Sequence, residues 1–415
     1  MINFDCRHYR ASRPCVFNKT DGSECSTCRH VSKYKERILF IKLDAIGDVL
    51  RSASLLPAIK ACHHAPFIAW LTRSESAELV GMMEGVDEVI ELSEGALARV
   101  MAGGWDQVYS VSNDLESASL ATLAATKQLP IGFYMADGAI RPSNKAAARW
   151  LEMAAFDRLK RSNTESYQHL MMAIIGCPDE PISPPALRVD ASVRAAASAR
   201  LSKLCGGGER RRVAVNVGSG GRWPKKMLDA AQISRYAQLL VERAEVDVLL
   251  VGGRAEAAKT EAILAMCAAN PRIRAALTEN SLVQFAATLM ETDVLLCGDT
   301  LALHVATALR LPTVAVFGPT SAAEIFDFEG LITKAWTDQL DCLVCYGNCQ
   351  KQRNCMSLID VTELADLTLA MLTRYSGLPT PLFSVPSAEP AVVVDMPHRM
   401  RSAKTRKELA RLPAA

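Results

Sequence analysis

Two series of short apolar runs, each alternating with helical stretches, constrain the fold of this chain most strongly. The first series begins with the run RILFI at residues 37–41, and the second begins at residues 212–217. A parallel strand that is buried on both faces requires such an uninterrupted apolar run. Because strands that alternate with helices form βαβ units, each series predicts a parallel sheet. The sequence therefore predicts an α/β protein with two Rossmann-like lobes.

The other predicted elements follow the same pattern. Further strands are predicted at residues 67–71, 86–90, 106–111, 246–251, 294–297 and 313–317. Helices are predicted at residues 49–61, 115–126, 229–243, 255–267, 281–291 and 301–309. The segment DEPISPP (179–185) is the predicted linker, since its prolines cannot continue a helix or a central strand. The lobes are thus expected at residues 37–180 and 186–376, after a Cys-rich extension (1–36) and before a disordered basic tail (377–415).

Composition and charge exclude several classes of protein. At 415 residues the chain is long enough for two lobes of about 150–200 residues each. Apolar residues make up 49 % and charged residues 22 %, as in folded proteins, and the net charge of +2 does not favour nucleic-acid binding. No apolar run approaches the roughly 20 residues that span a bilayer. The N-terminal stretch MINFDCRHYR lacks the apolar core of a signal peptide, so a cytoplasmic protein is expected.

The first motif, KLDAIGDVLR (42–51), directly follows the first predicted strand. It places Gly47 and Asp48 at a helix N-terminus, on the edge of the sheet where open α/β proteins bind ligands. Asp48 has two interpretations: a cap for its helix, which is the commoner role of aspartate, or a functional carboxylate. The G-x-G-x-x-G fingerprint is absent here, which argues against a nicotinamide enzyme.

The second motif, VNVGSGGRWPKKM (215–227), opens the second lobe. Its small residues are Gly218, Ser219, Gly220 and Gly221, and its cations are Arg222, Lys225 and Lys226. Small residues allow backbone N–H groups to approach an anion closely, and the cations suit a pyrophosphate. The spacing is not that of a P-loop. Phosphate binding is favoured over the alternative, a surface turn with solvated charges.

The third motif, GDTLALHVATALRLPTVAVFGPT, occupies residues 298–320. Asp299 and Thr300 follow a strand and begin a helix, and a helix N-terminus suits an anion or a sugar hydroxyl. His304 lies about one turn into that helix. It is either a buried hydrogen-bonded residue or a ligand contact, and both interpretations remain open.

Together and in this order, the three motifs resemble those of the heptosyltransferases, glycosyltransferase family 9. That family has K-x-x-x-x-G-D after its first strand, a Gly/Ser loop followed by lysine in its second lobe, and D-[TS]-x-x-x-H leading to F-G-P-T. The resemblance covers about residues 37–375. It implies the GT-B fold, with two Rossmann-like lobes facing a cleft, and metal-independent transfer from ADP-heptose with no catalytic cofactor.

The resemblance also implies roles for individual residues. Asp48 would be the base that deprotonates the acceptor hydroxyl, and Lys226 would stabilise the leaving diphosphate. The residues implied at the donor site are Gly218, Ser219, Gly220, Lys225, Glu256, Asp299, Thr300 and His304. Gly47 and Arg51 would lie on the acceptor side, in the N-terminal lobe. The chain departs from the family pattern at Leu301, where many members have glycine, and at Met227-Leu228.

The implied reaction inverts the anomeric carbon by direct displacement. It needs a base about 3 Å from the acceptor hydroxyl and charge stabilisation at the departing phosphate, which a lysine and helix N-termini supply without Mg²⁺. The implied acceptor is lipopolysaccharide core or a related lipid-linked glycan, reached by peripheral contact with the inner membrane. A protein acceptor of the autotransporter type is one alternative. A non-catalytic metal–thiolate interaction protein is another, although the presence of Asp48 and Lys226 argues against it.

Eight of the 13 cysteines fall in two clusters. The clusters are Cys6, Cys15, Cys25 and Cys28, and Cys342, Cys345, Cys349 and Cys355. Four thiolates suit a tetrahedral Zn²⁺ or Fe site, and the second cluster also resembles Cys-containing stretches of the family and of iron-binding autotransporter heptosyltransferases. A structural metal and reduced thiols both remain open. The isolated cysteines are predicted to be small buried apolar residues: Cys62, Cys177, Cys205, Cys267 and Cys297.

Overall fold

A computed structural model describes most of the chain. The described residues are 1–10, 13–124, 128–208, 210–219, 224–277, 281–347 and 349–377. The chain divides into two compact units, the first made of residues 1–156 and 168–183 and the second of residues 157–167 and 184 onward. The predicted disordered tail lies, from residue 378 onward, outside the described residues.

The secondary structure alternates between strands and helices. The strands are β1 (Glu36–Ile41), β2 (Pro66–Thr72), β3 (Glu88–Glu91), β4 (Gln107–Ser110), β5 (Ile131–Ala136), β6 (Ala139–Pro142), β7 (Arg211–Asn216), β8 (Val246–Val251), β9 (Ile273–Leu277), β10 (Val294–Gly298), β11 (Thr313–Val316) and β12 (Ile332–Ala335). The helices are α1 (Val16–Asp21), α2 (Ile46–Ser52), α3 (Leu56–Cys62), α4 (Ser74–Met82), α5 (Glu94–Ala102), α6 (Leu115–Ala124), α7 (Lys145–Ala155), α8 (Asp157–Ser162), α9 (Tyr167–Ile174), α10 (Ala191–Cys205), α11 (Ala230–Arg243), α12 (Ala257–Met266), α13 (Leu282–Leu289), α14 (Leu301–Ala308) and α15 (Val361–Arg374). Single turns of 3-10 helix lie at Ala53–Leu55, Pro224–Lys226, Arg254–Glu256 and Ala322–Glu324.

Each unit contains one six-stranded sheet, and the two sheets have the same strand order. The first is ordered β3-β2-β1-β4-β5-β6, and the second, taken from its opposite edge, is ordered β9-β8-β7-β10-β11-β12. All neighbouring strands are parallel except β5 and β6. Both orders correspond to the 3-2-1-4-5-6 order of doubly wound nucleotide-binding folds. The prediction of two Rossmann-like units is confirmed.

The strand order locates a ligand-binding crevice within each sheet. Ligands of doubly wound sheets bind at the carboxyl ends of the strands, at the point where the strand order reverses. That point lies between β1 and β4 in the first unit and between β7 and β10 in the second. The first motif follows β1, the second follows β7 and the third follows β10, so all three motifs lie at these points.

The central strands form the core because each contains a buried apolar run. Residues 38–41 of β1 and residues 294–297 of β10 have no exposed surface. The strands that were predicted from these runs are therefore present in the structure. Sequence patterns missed β5, β6, β9 and β12. Of these, β6, β9 and β12 are outer strands that each contain a charged residue, whereas β5 (IGFYMA) is apolar and was overlooked. The helix predicted over residues 49–61 begins earlier, at Ile46, and a 3-10 turn divides it.

The Cys-rich extension packs against the first unit. The guanidinium of Arg7 lies 2.7 Å from the Asp87 carboxylate, and Arg10 donates a hydrogen bond of 2.9 Å to the Asp87 carbonyl. The guanidinium of Arg10 also lies 5.5 Å from the centre of the Phe67 ring. Cation–π and ionic contacts thus attach a segment that has few apolar residues of its own.

Among the described residues, every helix falls short of the length and apolar character that a membrane span needs.

Candidate functional site

The second and third motifs meet at the β7–β10 crevice of the second unit. The ammonium group of Lys226 lies 3.0 Å from the Asp299 carboxylate and donates a second hydrogen bond, of 3.2 Å, to the Asp299 carbonyl. Both side chains are 19 % exposed. The crevice therefore holds a lysine in a fixed position that still reaches solvent.

Gly298 makes this approach possible. It is the last residue of β10, and the Lys226 backbone carbonyl lies where a β-carbon on residue 298 would stand. Any side chain at this position would collide with backbone rather than with a flexible side chain. The glycine therefore sets the distance between the 3-10 turn that carries Lys226 and the end of β10.

Asn216 connects the two sides of the crevice and was missed by sequence patterns. It ends β7, is buried, and donates hydrogen bonds of 2.7 Å to the Gly218 carbonyl and 3.4 Å to the Thr300 hydroxyl. Thr300 is the N-cap residue of α14, so the amino end of that helix opens into the crevice. Helix N-termini present backbone N–H groups and a positive partial charge to anions.

Lys225 and Lys226 have different environments. Lys225 is exposed, whereas Lys226 is partly buried in its contact with Asp299. Of these two lysines, Lys226 is therefore the one that lies in the crevice, and the roles that the resemblance implied for both stay predictions. Ser219 is partly exposed at the end of the described part of the loop. The predicted Gly220, with Gly221 and Arg222, lies outside the described residues.

Glu256 lies against the glycine loop after β7. A β-carbon on Gly218 would collide with the Glu256 side chain, and Gly253 donates a backbone hydrogen bond of 2.9 Å to the Glu256 carboxylate. The carboxylate therefore occupies a fixed position beside Gly218. Glu256 itself follows β8, the strand next to β7. In doubly wound folds an acidic residue after the second strand binds a ribose hydroxyl.

The rest of the third motif surrounds the crevice. His304 is 9 % exposed on α14, so it is buried as one of its two interpretations required. Phe317, Gly318 and Thr320 line a cavity of about 30 Å³ at the carboxyl end of β11. The buried Thr320 hydroxyl has no hydrogen-bond partner among the described residues.

Tyr346 is a second residue that the sequence did not reveal. Its backbone N–H donates to the Pro319 carbonyl at 2.9 Å, and its hydroxyl donates to the Glu324 carboxylate. Burial and the nearby Glu324 raise the pKa of Tyr346, so the phenol remains a hydrogen-bond donor. The Lys160 ammonium lies 3.8 Å from the ring centre. Tyr346 thus fixes the F-G-P-T turn to the segment that carries the second cysteine cluster.

In the first unit, Asp48 lies in the first turn of α2 at the carboxyl end of β1. The N-cap residue of α2 is Ala45, so the interpretation of Asp48 as a helix cap is wrong. The Asp48 carboxylate instead lies 2.7 Å from the Arg51 guanidinium. Arg51 is 14 % exposed and Asp48 is 36 % exposed, so the pair presents the carboxylate to solvent. Gly47 precedes Asp48 in the same turn.

A polar network near Asp48 joins Lys42, the first residue of the first motif, to Asp44 and Ser112, which the sequence did not single out. Lys42, which is buried, lies 2.9 Å from the Asp44 carboxylate and donates to the Val111 carbonyl at 3.3 Å. Ser112 donates a hydrogen bond to the same Asp44 carboxylate. The network joins the loop after β1 to the loop after β4, on the two sides of the crevice.

The cysteine clusters were tested for the geometry of a metal site. Among the described residues, no group of three or more His, Cys, Asp or Glu side chains is arranged to hold a metal ion. The cysteines of both clusters are free thiols, and Cys6 and Cys355 are buried. The arrangement does not fit a structural metal, and the ligand assignment stays a prediction without structural support.

The two doubly wound sheets match the GT-B class of fold. The sequence model of glycosyltransferase family 9 (heptosyltransferase) matches residues 95–361, which is more than half of the chain. The chain therefore belongs to this family of glycosyltransferases. The matched segment contains Lys226, Glu256 and Asp299 but not Asp48.

Solved structures agree with this fold. The ADP-heptose lipopolysaccharide heptosyltransferase II of E. coli superposes with a TM-score of 0.61 at 17 % identity, over 82 % of this chain and 100 % of that one. A family 9 glycosyl transferase from Veillonella parvula superposes with a TM-score of 0.60 at 15 % identity, over 82 % of this chain and 98 % of that one. No curated protein sequence matches the chain.

Proposed function

We propose that this protein is an inverting, metal-independent heptosyltransferase. It would transfer heptose from ADP-heptose to a hydroxyl of lipopolysaccharide core or a related glycan. The observation that carries the proposal is the contact of Lys226 with Asp299 at the β7–β10 crevice, beside the amino end of α14. ADP-heptose is the donor named for the E. coli structure that shares the fold.

The donor diphosphate would bind at the crevice of the second unit. Lys226 and the N–H groups at the start of α14 supply positive charge, with Ser219 and Gly218 in the loop after β7. Charge on the diphosphate increases as the glycosidic bond breaks, so fixed cations there favour the transition state over the bound donor. Glu256 would bind the ribose, by analogy with other doubly wound folds.

The acceptor hydroxyl would be activated at the crevice of the first unit. Asp48 is the proposed base: it takes the proton as the hydroxyl oxygen attacks the anomeric carbon. Arg51 fixes the orientation of the carboxylate through the 2.7 Å contact. Lys42 and Asp44 hold the adjacent loop in place, so they would position Asp48 without touching the reacting atoms.

Direct displacement accounts for inversion without a covalent intermediate. The acceptor oxygen forms its bond to the anomeric carbon while the bond to the diphosphate oxygen breaks, and ADP leaves with the bonding electrons. The proton of the acceptor goes to Asp48. No nucleophilic serine or cysteine is required, which agrees with the absence of any cysteine from the residues assigned above.

The proposal is tested by assaying a panel of nucleotide sugars with purified protein. Hydrolysis and transfer are measured with ADP-heptose, ADP-glucose and UDP-glucose, using truncated lipopolysaccharide core and an autotransporter passenger peptide as acceptors. We expect ADP release that depends on both ADP-heptose and the glycan. Transfer from a UDP sugar alone, or no transfer with any donor by folded protein, would overturn the proposal. Modification of the peptide in place of the glycan would assign the alternative acceptor.

A further inference from the structure

Two cysteines that are far apart in sequence meet in the first unit. The Cys62 and Cys177 sulfur atoms are 2.8 Å apart. Cys62 ends α3, and Cys177 follows α9 by three residues. A covalent disulfide is about 2.05 Å long, so a small movement would bring the two atoms to bonding distance. The prediction that both are isolated is therefore wrong, and the prediction of burial is wrong for Cys62, which is exposed, but confirmed for Cys177.

We propose that Cys62 and Cys177 are a modification site: a thiol pair that oxidises reversibly to a disulfide by exchange with a small-molecule disulfide such as oxidised glutathione. The inference does not depend on the proposed transferase reaction. It rests on the contact between the two sulfur atoms and on their different exposure.

Exposure assigns the order of the two steps. Cys62 is exposed and Cys177 is buried, so a small disulfide reaches Cys62 first. Burial, followed by the contact with Cys62, raises the pKa of Cys177 to about 12, which keeps its thiol protonated while the pair is reduced. Thiolates rather than thiols attack disulfides, so Cys62 is the attacking group and Cys177 the resolving one.

The exchange balances in atoms and electrons. The Cys62 thiolate attacks one sulfur of glutathione disulfide, a mixed disulfide forms, and one glutathione thiolate leaves. Cys177 then attacks the Cys62 sulfur, the mixed disulfide breaks, and the second glutathione leaves with the proton that Cys177 gives up. The two cysteines lose two electrons and two protons in total, and one glutathione disulfide becomes two glutathione thiols.

Polar groups around the pair hold its neighbourhood together. One ring nitrogen of His63 lies 2.5 Å from the Glu36 carboxylate, and the other ring nitrogen lies 2.9 Å from the Tyr109 hydroxyl. Burial raises the pKa of Tyr109, and the nearby Cys177 and Cys62 raise it further. The end of α3 is thus fixed to β1 and β4, and a disulfide would add a covalent link to the end of α9.

The test is mass spectrometry of the full chain after equilibration with mixtures of glutathione and glutathione disulfide. Free thiols are blocked after an acid quench, and the protein is digested without reduction. We expect a Cys62–Cys177 peptide pair that is two hydrogens lighter than its components and that disappears after reduction with dithiothreitol. Closing the loop of residues 63–176 should also raise the Tm of oxidised wild-type protein by several degrees, because a long closed loop restricts the unfolded chain.

Two variants complete the test. Cys62→Ser should abolish the linked peptide and leave Cys177 available to the blocking reagent after denaturation. Cys342→Ser removes another exposed cysteine and should leave the link unchanged. The proposal is overturned if folded wild-type protein keeps both thiols at every glutathione ratio, if Cys62 stops at the mixed disulfide, or if either cysteine links to a different partner.

Discussion

The backbone carbonyl of Lys226 fills the space in which a side chain on residue 298 would begin. The position of the lysine is therefore determined by the absence of a side chain 72 positions further along the chain. The two residues come from different sequence motifs: Lys226 lies in a 3-10 turn after β7, and Gly298 ends the neighbouring strand β10.

Gly298→Ala should move Lys226 away from Asp299. The added methyl group would displace backbone, which typically costs about 1–3 kcal/mol of unfolding free energy in a packed site. We expect a raised Kd for ADP, measured by isothermal titration, together with a lowered Tm. Gly95→Ala is the matched control, because a β-carbon at Gly95 on α5 would meet no atom within 4 Å. Unchanged ADP binding in Gly298→Ala would contradict the proposed role of this contact.

Lys226→Ala should weaken ADP binding and lower the rate of transfer. Loss of one preorganised charge-stabilising group typically lowers kcat by about 10²–10³-fold. Lys225→Ala is the control, since Lys225 is exposed, and it should change both quantities much less. Greater damage from Lys225→Ala would show that the neighbouring lysine binds the diphosphate.

Asp48→Asn should abolish transfer while ADP binding is retained. The amide keeps the shape of the side chain but cannot accept the proton, and loss of a general base typically costs about 10²–10⁴-fold in rate. Steady-state transfer and ADP titration measure the two effects separately. Glu75→Gln changes another carboxylate in the first turn of a helix of the same unit and should retain full activity. If Asp48→Asn turned over as fast as wild type, Asp48 would not be the base, and its role would be limited to the ion pair with Arg51.

Transfer should persist in EDTA without added Mg²⁺. The expected reason is that Lys226 and the amino end of α14 stabilise the departing diphosphate. Rates are compared before and after chelation, followed by addition of Mg²⁺ or Mn²⁺. A strict requirement for either ion would contradict metal independence.

Sequence patterns predicted the centre of each sheet better than its edges. The runs in β1, β7, β8 and β10 are buried on both faces and therefore consist mainly of apolar residues. The short strand β12 contains Lys334, whose pKa is lowered by burial, and its ITKA sequence has no strand signal by itself. Such strands form because a neighbouring strand offers hydrogen bonds, which a local pattern cannot show.

Residues of the candidate site could be predicted where a sequence motif contains the residue and also lies next to a recognisable strand. Asp299 and Thr300 lie at the crevice because they follow β10 directly, and Lys226 lies there in the turn that ends the loop after β7. Asn216 and Tyr346 depend on partners far away in sequence, so their contacts could not be inferred locally. The cysteine clusters show that a local pattern can also mislead. Their spacing is compatible with four thiolates on one metal ion, but the conformation of the loops decides whether the four sulfur atoms come close enough together.

The strand order also has a consequence for biosynthesis. In each unit the strand that is translated first lies in the middle of the sheet, and β1 gains its second neighbour only when Gln107 pairs with Ile38. Ribosomes add about 5–20 residues per second, so the apolar edge of β1 stays unpaired for seconds on the nascent chain. The same delay occurs in the second unit, where β7 cannot pair with β10 until β10 has been translated. Slower translation or a lower growth temperature would change how long these edges are available to chaperones and to aggregation.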